Sequence, residues 1–118
     1  MAAATKYDVS RLEMERDRAG QRYLEFLRVP SMSAGLYVLR KGDADTQSPH
    51  TEDEAYFVVR GQGRFRVGLE DHPVQDGSVI YVPAQVEHRF HDIDEDLVLL
   101  VFFAPPEGTR AGSPEGRA

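Results

Sequence analysis

Apolar and polar residues alternate along much of the chain, and this period of two is typical of β-strands with one buried face. The segment RFRVGL at 64–69 shows it plainly, since each arginine or glycine adjoins an apolar residue. Six other segments are short and rich in β-branched or aromatic residues, namely 22–29, 33–40, 54–60, 78–82, 86–90 and 97–103. We therefore predict seven or more short strands.

Turn-forming residues separate these segments. Glycine, proline and acidic residues predict turns at 29–31, 41–43, 61–63, 70–73, 76–77 and 92–96. Short strands at such regular spacing predict an all-β fold, which we interpret as an antiparallel double-sheet sandwich or barrel.

The alternation stops towards both ends of the chain. Residues 1–20 are polar and of mixed charge, with too few apolar positions for an amphipathic helix, so we predict a flexible N-terminal arm. Residues 105–118 contain six prolines and glycines, which predict a flexible C-terminal tail. Residues 21–104 remain as one domain, as expected for a chain of 118 residues.

Two predicted strands, at 55–59 and 97–103, are apolar on both faces. Tyr56 has the inward parity, so Phe57 and Val59 point outward from the barrel. An apolar outer face needs cover. We expect a second copy of the chain to provide it in a homodimer, although the N-terminal arm folding back is the alternative.

Charge and composition narrow the classes of partner. The chain has 14 basic and 20 acidic residues, a net charge of −6 at pH 7, so it lacks the positive charge that attracts nucleic acids or anionic membranes. We therefore expect no nucleic-acid partner. No run approaches the roughly 18 apolar residues of a membrane span, and no apolar core of a secretory leader is evident, so we expect a cytoplasmic protein.

The chain has no cysteine, so any metal site depends on its four histidines and its carboxylates. His50, Glu52 and Glu54 are spaced by two on the inward parity, and His88 has the inward parity of its own segment. Burying such groups is costly unless a cation compensates. His50, Glu54 and His88 form a plausible metal-binding set with open coordination positions. We interpret Glu52 as a solvated edge carboxylate, since buried acids need a partner.

The first half of this pattern resembles the first motif of the cupin superfamily, G-x5-H-x-H-x3,4-E-x6-G. Gly42, His50, Glu54 and Gly61 occupy its positions at the correct spacing. Ser48 stands where the motif has its first histidine. The resemblance covers residues 35–104.

The second half resembles the second cupin motif, G-x5-P-x-G-x2-H-x3-N. Gly77, Pro83 and His88 match it, while Gln85 replaces the motif's glycine and Asp92 its asparagine. The resemblance implies a jelly-roll barrel. It also implies that His50, Glu54 and His88 are ligands of a divalent metal, for which iron, zinc, manganese and nickel are candidates. The alternative is a barrel that keeps the polar pocket without a metal.

The cupin resemblance implies several functions, because the family includes both isomerases and dioxygenases. An open metal position favours a metal-dependent enzyme acting on a small polar metabolite. One alternative is a non-catalytic module that binds a small molecule or a metal. Another is a sensor acting with a separate partner, since the chain has no DNA-binding helices. Fold does not decide among these functions, because function depends on the site.

Overall fold

The computed structural model describes residues 4–46 and 49–109, which form one helix and six strands. These elements are α1 (Val9–Ala19), β1 (Tyr23–Val29), β2 (Met32–Leu39), β3 (Asp53–Val67), β4 (Glu70–Gln75), β5 (Val79–Val82) and β6 (His88–Ala104). The hydrogen-bonded order is β1-β2-β6-β3-β4, and β5 pairs with the first part of β3. Every pairing is antiparallel, and the all-β fold predicted from the alternation is confirmed.

Strands β3 and β6 are long because each joins segments that the sequence predicts as separate. The turns predicted at 61–63 and 92–96 are wrong, since both stretches lie inside these strands. Register shifts interrupt the β3–β6 ladder there, so the strands continue through bulges instead of ending. Gly61 has φ of 117°, and a Cβ at this position would lie 2.3 Å from the Asp96 carbonyl oxygen. Only glycine permits this close approach.

The turn predicted at 70–73 is also wrong, because these residues belong to β4. Strand β4 is the last in the sheet order and pairs with the second part of β3. An edge strand accepts Pro73, since no further strand needs the missing N–H group. The chain reverses just before β4, at Gly68, whose φ is 58°.

The alternation in β3 divides its side chains between two faces of the sheet. Tyr56 and Val58 are buried in the barrel core, whereas Phe57 on the other face is exposed. Strand β6 behaves in the same way, with Leu97 and Leu99 in the core and Val98 in a second apolar cluster outside the barrel. The predicted parity of these strands is therefore confirmed.

Much of the predicted flexible arm is a helix that packs on the outer face of the sheet. Leu12 of α1 is 4% exposed and joins a cluster with Leu36, Val38 and Val98. The sequence pattern did not indicate this helix because it buries only Leu12 and Arg16, too few for an apolar stripe. The arm therefore folds back over part of the face that a second copy was expected to cover.

Two polar features hold α1 in place. Gly20, in the left-handed conformation with φ of 67°, ends the helix by donating its N–H to the carbonyls of Arg16 and Asp17. Arg60 of β3 forms an ion pair with Glu13 of the helix. In the described part of the chain no helix has the length and apolar character needed to cross a membrane.

The contact of α1 with the sheet predicts a stability effect. Replacing buried Leu12 with alanine (Leu12→Ala) should lower the free energy of unfolding by about 2–3 kcal/mol, because the apolar cluster loses contacts and gains a cavity. Met14 on the same helix is 60% exposed, so Met14→Ala should change it by less than about 0.5 kcal/mol. Urea denaturation measures both variants. Equal effects would show that the helix does not pack as described.

Candidate metal centre

Three side chains converge inside one end of the barrel. His50, Glu54 and His88 each offer a ligand atom, and these atoms lie within 4.8 Å of one another. Glu54 pairs along the β3 ladder with Phe103, whereas His88 pairs with Val67. The two residues are therefore far apart in the ladder and meet only because the sheet curls into a barrel.

The loop between β5 and β6 positions His50, which precedes β3. The Gln85 N–H donates to the His50 carbonyl oxygen at 2.7 Å, and the Ala84 N–H donates to Asp53 Oδ1 at 3.0 Å. Gln85 adopts φ of 70°, a left-handed conformation that favours glycine. This conformation explains why the second cupin motif has glycine at this position. Asp92, at the asparagine position, is also left-handed, with φ of 46°.

Hydrogen bonding fixes the proton on the imidazole of His88. Its Nδ1 lies 2.8 Å from the Val86 carbonyl oxygen, which can only accept, so Nδ1 carries the hydrogen and donates. Its Nε2 then presents a lone pair to Glu54 Oε1 at 3.0 Å. Both residues are 2% exposed. Two facing lone pairs repel each other, so a proton or a cation must lie between them.

The electrostatics of His88 agree with this geometry. Burial lowers the pKa of His88, but the adjacent carboxylate of Glu54 and the carbonyl of Val86 outweigh burial and raise the pKa above its ordinary value. A raised pKa stabilises the folded, metal-free protein below the ordinary pKa, and this contribution disappears as pH rises through the raised value.

The donor set fits a transition metal. Glu54 Oε1 and His88 Nε2 are buried, and neither makes a well-aligned hydrogen bond with any residue in 4–46 or 49–109. Two imidazoles with one carboxylate suit iron, zinc, manganese or nickel better than calcium or magnesium, which prefer oxygen ligands. A divalent ion would take the place of the proton between His88 and Glu54.

The C-terminal segment adds another carboxylate to the site. Glu107 Oε2 lies 3.6 Å from His50 Nδ1, an ion-pair distance. Burial and the neighbouring carboxylates, Glu54 among them, raise the pKa of Glu107, and His50 opposes this rise. Glu107 belongs to the segment predicted as a flexible tail, so no sequence pattern marks it as a site residue.

Three side chains, those of Ser33, Arg28 and Glu52, hold residues 106–109 against the barrel, and a fourth hydrogen bond closes a turn within the segment. The Glu107 N–H donates to Ser33 Oγ at 2.9 Å, and Arg28 Nη2 donates to the Glu107 carbonyl at 2.9 Å. The Gly108 N–H donates to Glu52 Oε1 at 3.0 Å, and the Thr109 N–H donates to the Pro106 carbonyl at 3.0 Å. The predicted tail is thus bonded to the barrel in its first part, while residues 110–118 lie outside the described residues.

The interpretation of Glu52 as a solvated edge carboxylate is wrong. Glu52 is 1% exposed and accepts hydrogen bonds from the Gly108 N–H and from the hydroxyl of Thr51. These donors are the partners that a buried acid requires. Glu52 therefore holds the C-terminal segment and does not belong to the candidate metal-binding group, which consists of His50, Glu54 and His88.

The two other histidines of the chain lie away from this group. His72 is exposed on β4, and His91 contacts Asp71 with its Nε2 at 2.9 Å from Oδ1. Neither histidine is part of the group formed by His50, Glu54 and His88. Ser48, at the first histidine position of the cupin motif, lies outside the described residues.

A cavity of about 150 Å³ is lined by two of the three candidate ligands. Its wall includes His50 and Glu54 together with Tyr23, Tyr37 and Tyr56. A wider groove of about 870 Å³ lies elsewhere on the surface and is lined by none of the three candidate ligands. The smaller cavity is therefore the one in which a ligand would meet the metal-binding group.

Comparison with known proteins identifies the family. The family model for the cupin domain matches residues 35–103. The chain belongs to the cupin family. The solved structure of TT1209 from Thermus thermophilus is similar to this cupin, with a TM-score of 0.69 and 24% identity over 87% of this chain and 99% of that one.

Two curated relatives differ in how much of this cupin they match. Uncharacterized protein SCO3923 of Streptomyces coelicolor is 52% identical over 101 residues, which are 86% of this chain and 96% of that protein. Acireductone dioxygenase 1 of Pectobacterium atrosepticum is 40% identical over 65 residues, which are 50% of this chain and 37% of that enzyme. The second match is thus confined to part of each protein.

The contact between Glu54 and His88 predicts a change in titration. In the metal-free protein, Glu54→Gln should bring the pKa of His88 below its ordinary value of about 6.5, because burial remains while the carboxylate charge is lost. Glu87 is next to His88 in sequence but points outward, so Glu87→Gln should leave the pKa of His88 high. NMR titration of the imidazole signals measures this. An unchanged pKa in Glu54→Gln would contradict the proposed contact.

Proposed function

We propose that this cupin binds a divalent transition metal through His50, Glu54 and His88 and acts in the cytoplasm as an enzyme on a small polar metabolite. The facing pair of Glu54 Oε1 and His88 Nε2 carries the proposal, because these buried atoms need a positive charge between them. Protein interiors rarely keep such a group without a cation, a proton or a functional reason.

When bound, the metal would supply Lewis acidity toward a substrate oxygen, and iron would also supply redox chemistry. His88 and Glu107 are placed so that they would serve either the Lewis-acid or the redox chemistry. The Val86 carbonyl holds His88 in the tautomer with Nε2 free to coordinate. Glu107, beside His50, holds a carboxyl group with a raised pKa at the cavity wall, where it can take up or release a proton.

The reaction class that we propose is dioxygenase- or isomerase-like. The partial match to acireductone dioxygenase 1 supports an oxygen-dependent reaction, although it covers only half of this chain. The cavity of about 150 Å³ suits a small metabolite. A module that binds a small molecule or a metal without turnover is the competing proposal.

Metal stoichiometry tests this function directly. Wild-type protein, purified without a histidine tag, should contain close to one transition metal per chain, and His50→Ala, Glu54→Ala and His88→Ala should each lose most of it. His72→Ala is the matched control, since His72 is exposed on β4 and should keep full occupancy. Elemental analysis measures the content and names the metal.

The outcomes of the elemental analysis separate the candidate functions. Iron would favour oxygen chemistry, while zinc, manganese or nickel would favour an isomerase or a binding module. Full occupancy in His88→Ala would show that the metal binds elsewhere, and a metal-free wild-type protein would contradict the proposal.

We also propose that the cupin forms a homodimer through the part of the outer face that α1 leaves open. Phe57, Val79 and Tyr81 are 38%, 74% and 62% exposed there, and Phe57 and Val79 are paired across neighbouring strands. An apolar patch of this kind is typical of a protein interface. A second copy presenting the same patch would bury both surfaces.

A charge in this patch should separate the dimer. Phe57→Glu should yield monomers, because pairing would bury an uncompensated carboxylate. Gln62→Glu adds the same charge at an exposed site on the same strand and should leave the dimer intact. Light scattering at micromolar concentration measures the mass, which should be twice 13.3 kDa for the wild type. A wild-type mass of one chain would contradict the proposal.

A further inference from the structure

Tyr23 lines the cavity beside the candidate metal-binding group, and its hydroxyl is a buried polar group that the candidate ligands do not use. Tyr23 begins β1, and its Oη is buried without a hydrogen bond to any residue in the described ranges. The side chain lines the same cavity as His50 and Glu54. A buried hydroxyl without a partner destabilises a folded protein, so its presence calls for a reason.

The sheet makes specific room for this ring. A Cβ on Gly35 of β2 would lie 2.1 Å from Cζ of Tyr23 and 2.2 Å from its Oη. The phenol therefore occupies the space that any larger residue at position 35 would fill. Glycine weakens a strand and often marks a close approach of another group. Strand β2 thus has a glycine, which is a poor strand former, at the position where the Tyr23 ring lies.

Tyr37 provides the contrast, because it lines the same cavity and its hydroxyl has a partner. Tyr37 Oη donates to Asp45 Oδ1 at 2.8 Å. The rings of Tyr23 and Tyr37 meet edge to face with centroids 6.2 Å apart, so the two phenols share one environment. The Tyr37 hydroxyl thus has a partner within the fold, whereas the Tyr23 hydroxyl has none among the described residues.

Electrostatics keep the Tyr23 hydroxyl protonated. Burial raises the pKa of Tyr23 far above its ordinary value, and the negative charges of Glu107, Glu25 and Glu54 raise it further. The group therefore acts as a hydrogen-bond donor throughout the physiological pH range. Its natural partner is an acceptor oxygen.

We propose that Tyr23 selects the ligand of this cavity by donating a hydrogen bond to an acceptor oxygen, and that the ligand is a small oxo or hydroxy compound about the size of one six-membered ring. The size follows from the cavity volume of about 150 Å³, since a protein cavity of about this volume accommodates benzene. This inference rests on the proposed function for its cavity, but it does not require that the metal be bound.

Binding of a matched pair of probes to the metal-free protein tests the selection. Cyclohexanone offers an acceptor oxygen, and methylenecyclohexane has the same shape without one. Wild-type protein should bind the ketone roughly 3- to 10-fold more tightly than the alkene, as expected for one hydrogen bond. Tyr23→Phe should lose this preference, whereas Tyr37→Phe should keep it, because Tyr37 already bonds to Asp45. NMR titration measures the affinities.

Thermal unfolding without ligand provides a second readout. Tyr23→Phe should be at least as stable as the wild type, because the removed hydroxyl has no partner, while Tyr37→Phe should be less stable. A loss of stability in Tyr23→Phe equal to that in Tyr37→Phe would overturn the proposal. Equal affinity of the wild type for the two probes, or no binding of either, would also overturn it.

The metal content of Tyr23→Phe keeps this inference separate from the proposed function. It should equal that of the wild type, since Tyr23 is not in the metal-binding group. If the wild type holds no metal but the ketone preference depends on Tyr23, the metal proposal fails and the ligand inference stands. If metal binds normally and the preference is absent, the ligand inference alone fails.

Discussion

The buried contact between Glu54 and His88 is the constraint on which the rest of the site depends. A carboxylate oxygen and an imidazole nitrogen face each other at 3.0 Å inside an apolar barrel, and the Val86 carbonyl prevents the imidazole from turning its N–H toward the carboxylate as a neutral group. The pair is stable only with a positive charge between its members. Proton uptake by the metal-free protein and metal binding therefore both supply the positive charge that this pair requires.

The site extends beyond the cupin motifs. Residues 106–109 cover one side of it through hydrogen bonds to Ser33 and Glu52. Glu52 makes this possible because it is buried with its own partners and so fixes the segment. Glu107 reaches His50 as a consequence. The wall of the site thus depends on a carboxylate that does not belong to the metal-binding group.

The alternation of residues was enough to predict the antiparallel all-β fold and the inward faces of β3 and β6, since side-chain parity is local information. It could not separate a turn from a bulge at Gly61, because glycine favours both and only the approach of β6 distinguishes them. Helix α1 was missed because its packing depends mainly on Leu12. Tyr23 and Glu107 were missed because their roles depend on contacts with Gly35 and His50, which are distant in sequence.

Charge and shape together limit what the proposed centre can bind. A divalent ion would carry more charge than the Glu54 carboxylate beside it, and the raised pKa of Glu107 limits how far this second carboxyl group offsets the difference, so a ligand with a negative or strongly polar oxygen is favoured. Tyr23 lines the same cavity, and its buried hydroxyl without a partner among the described residues favours an acceptor oxygen as well. A ligand oxygen has two lone pairs, so one oxygen could bind the metal and also accept from the phenol, and a second oxygen on the same frame would add a further contact. A small carbon frame that carries polar oxygens is thus the chemistry that these groups fit best.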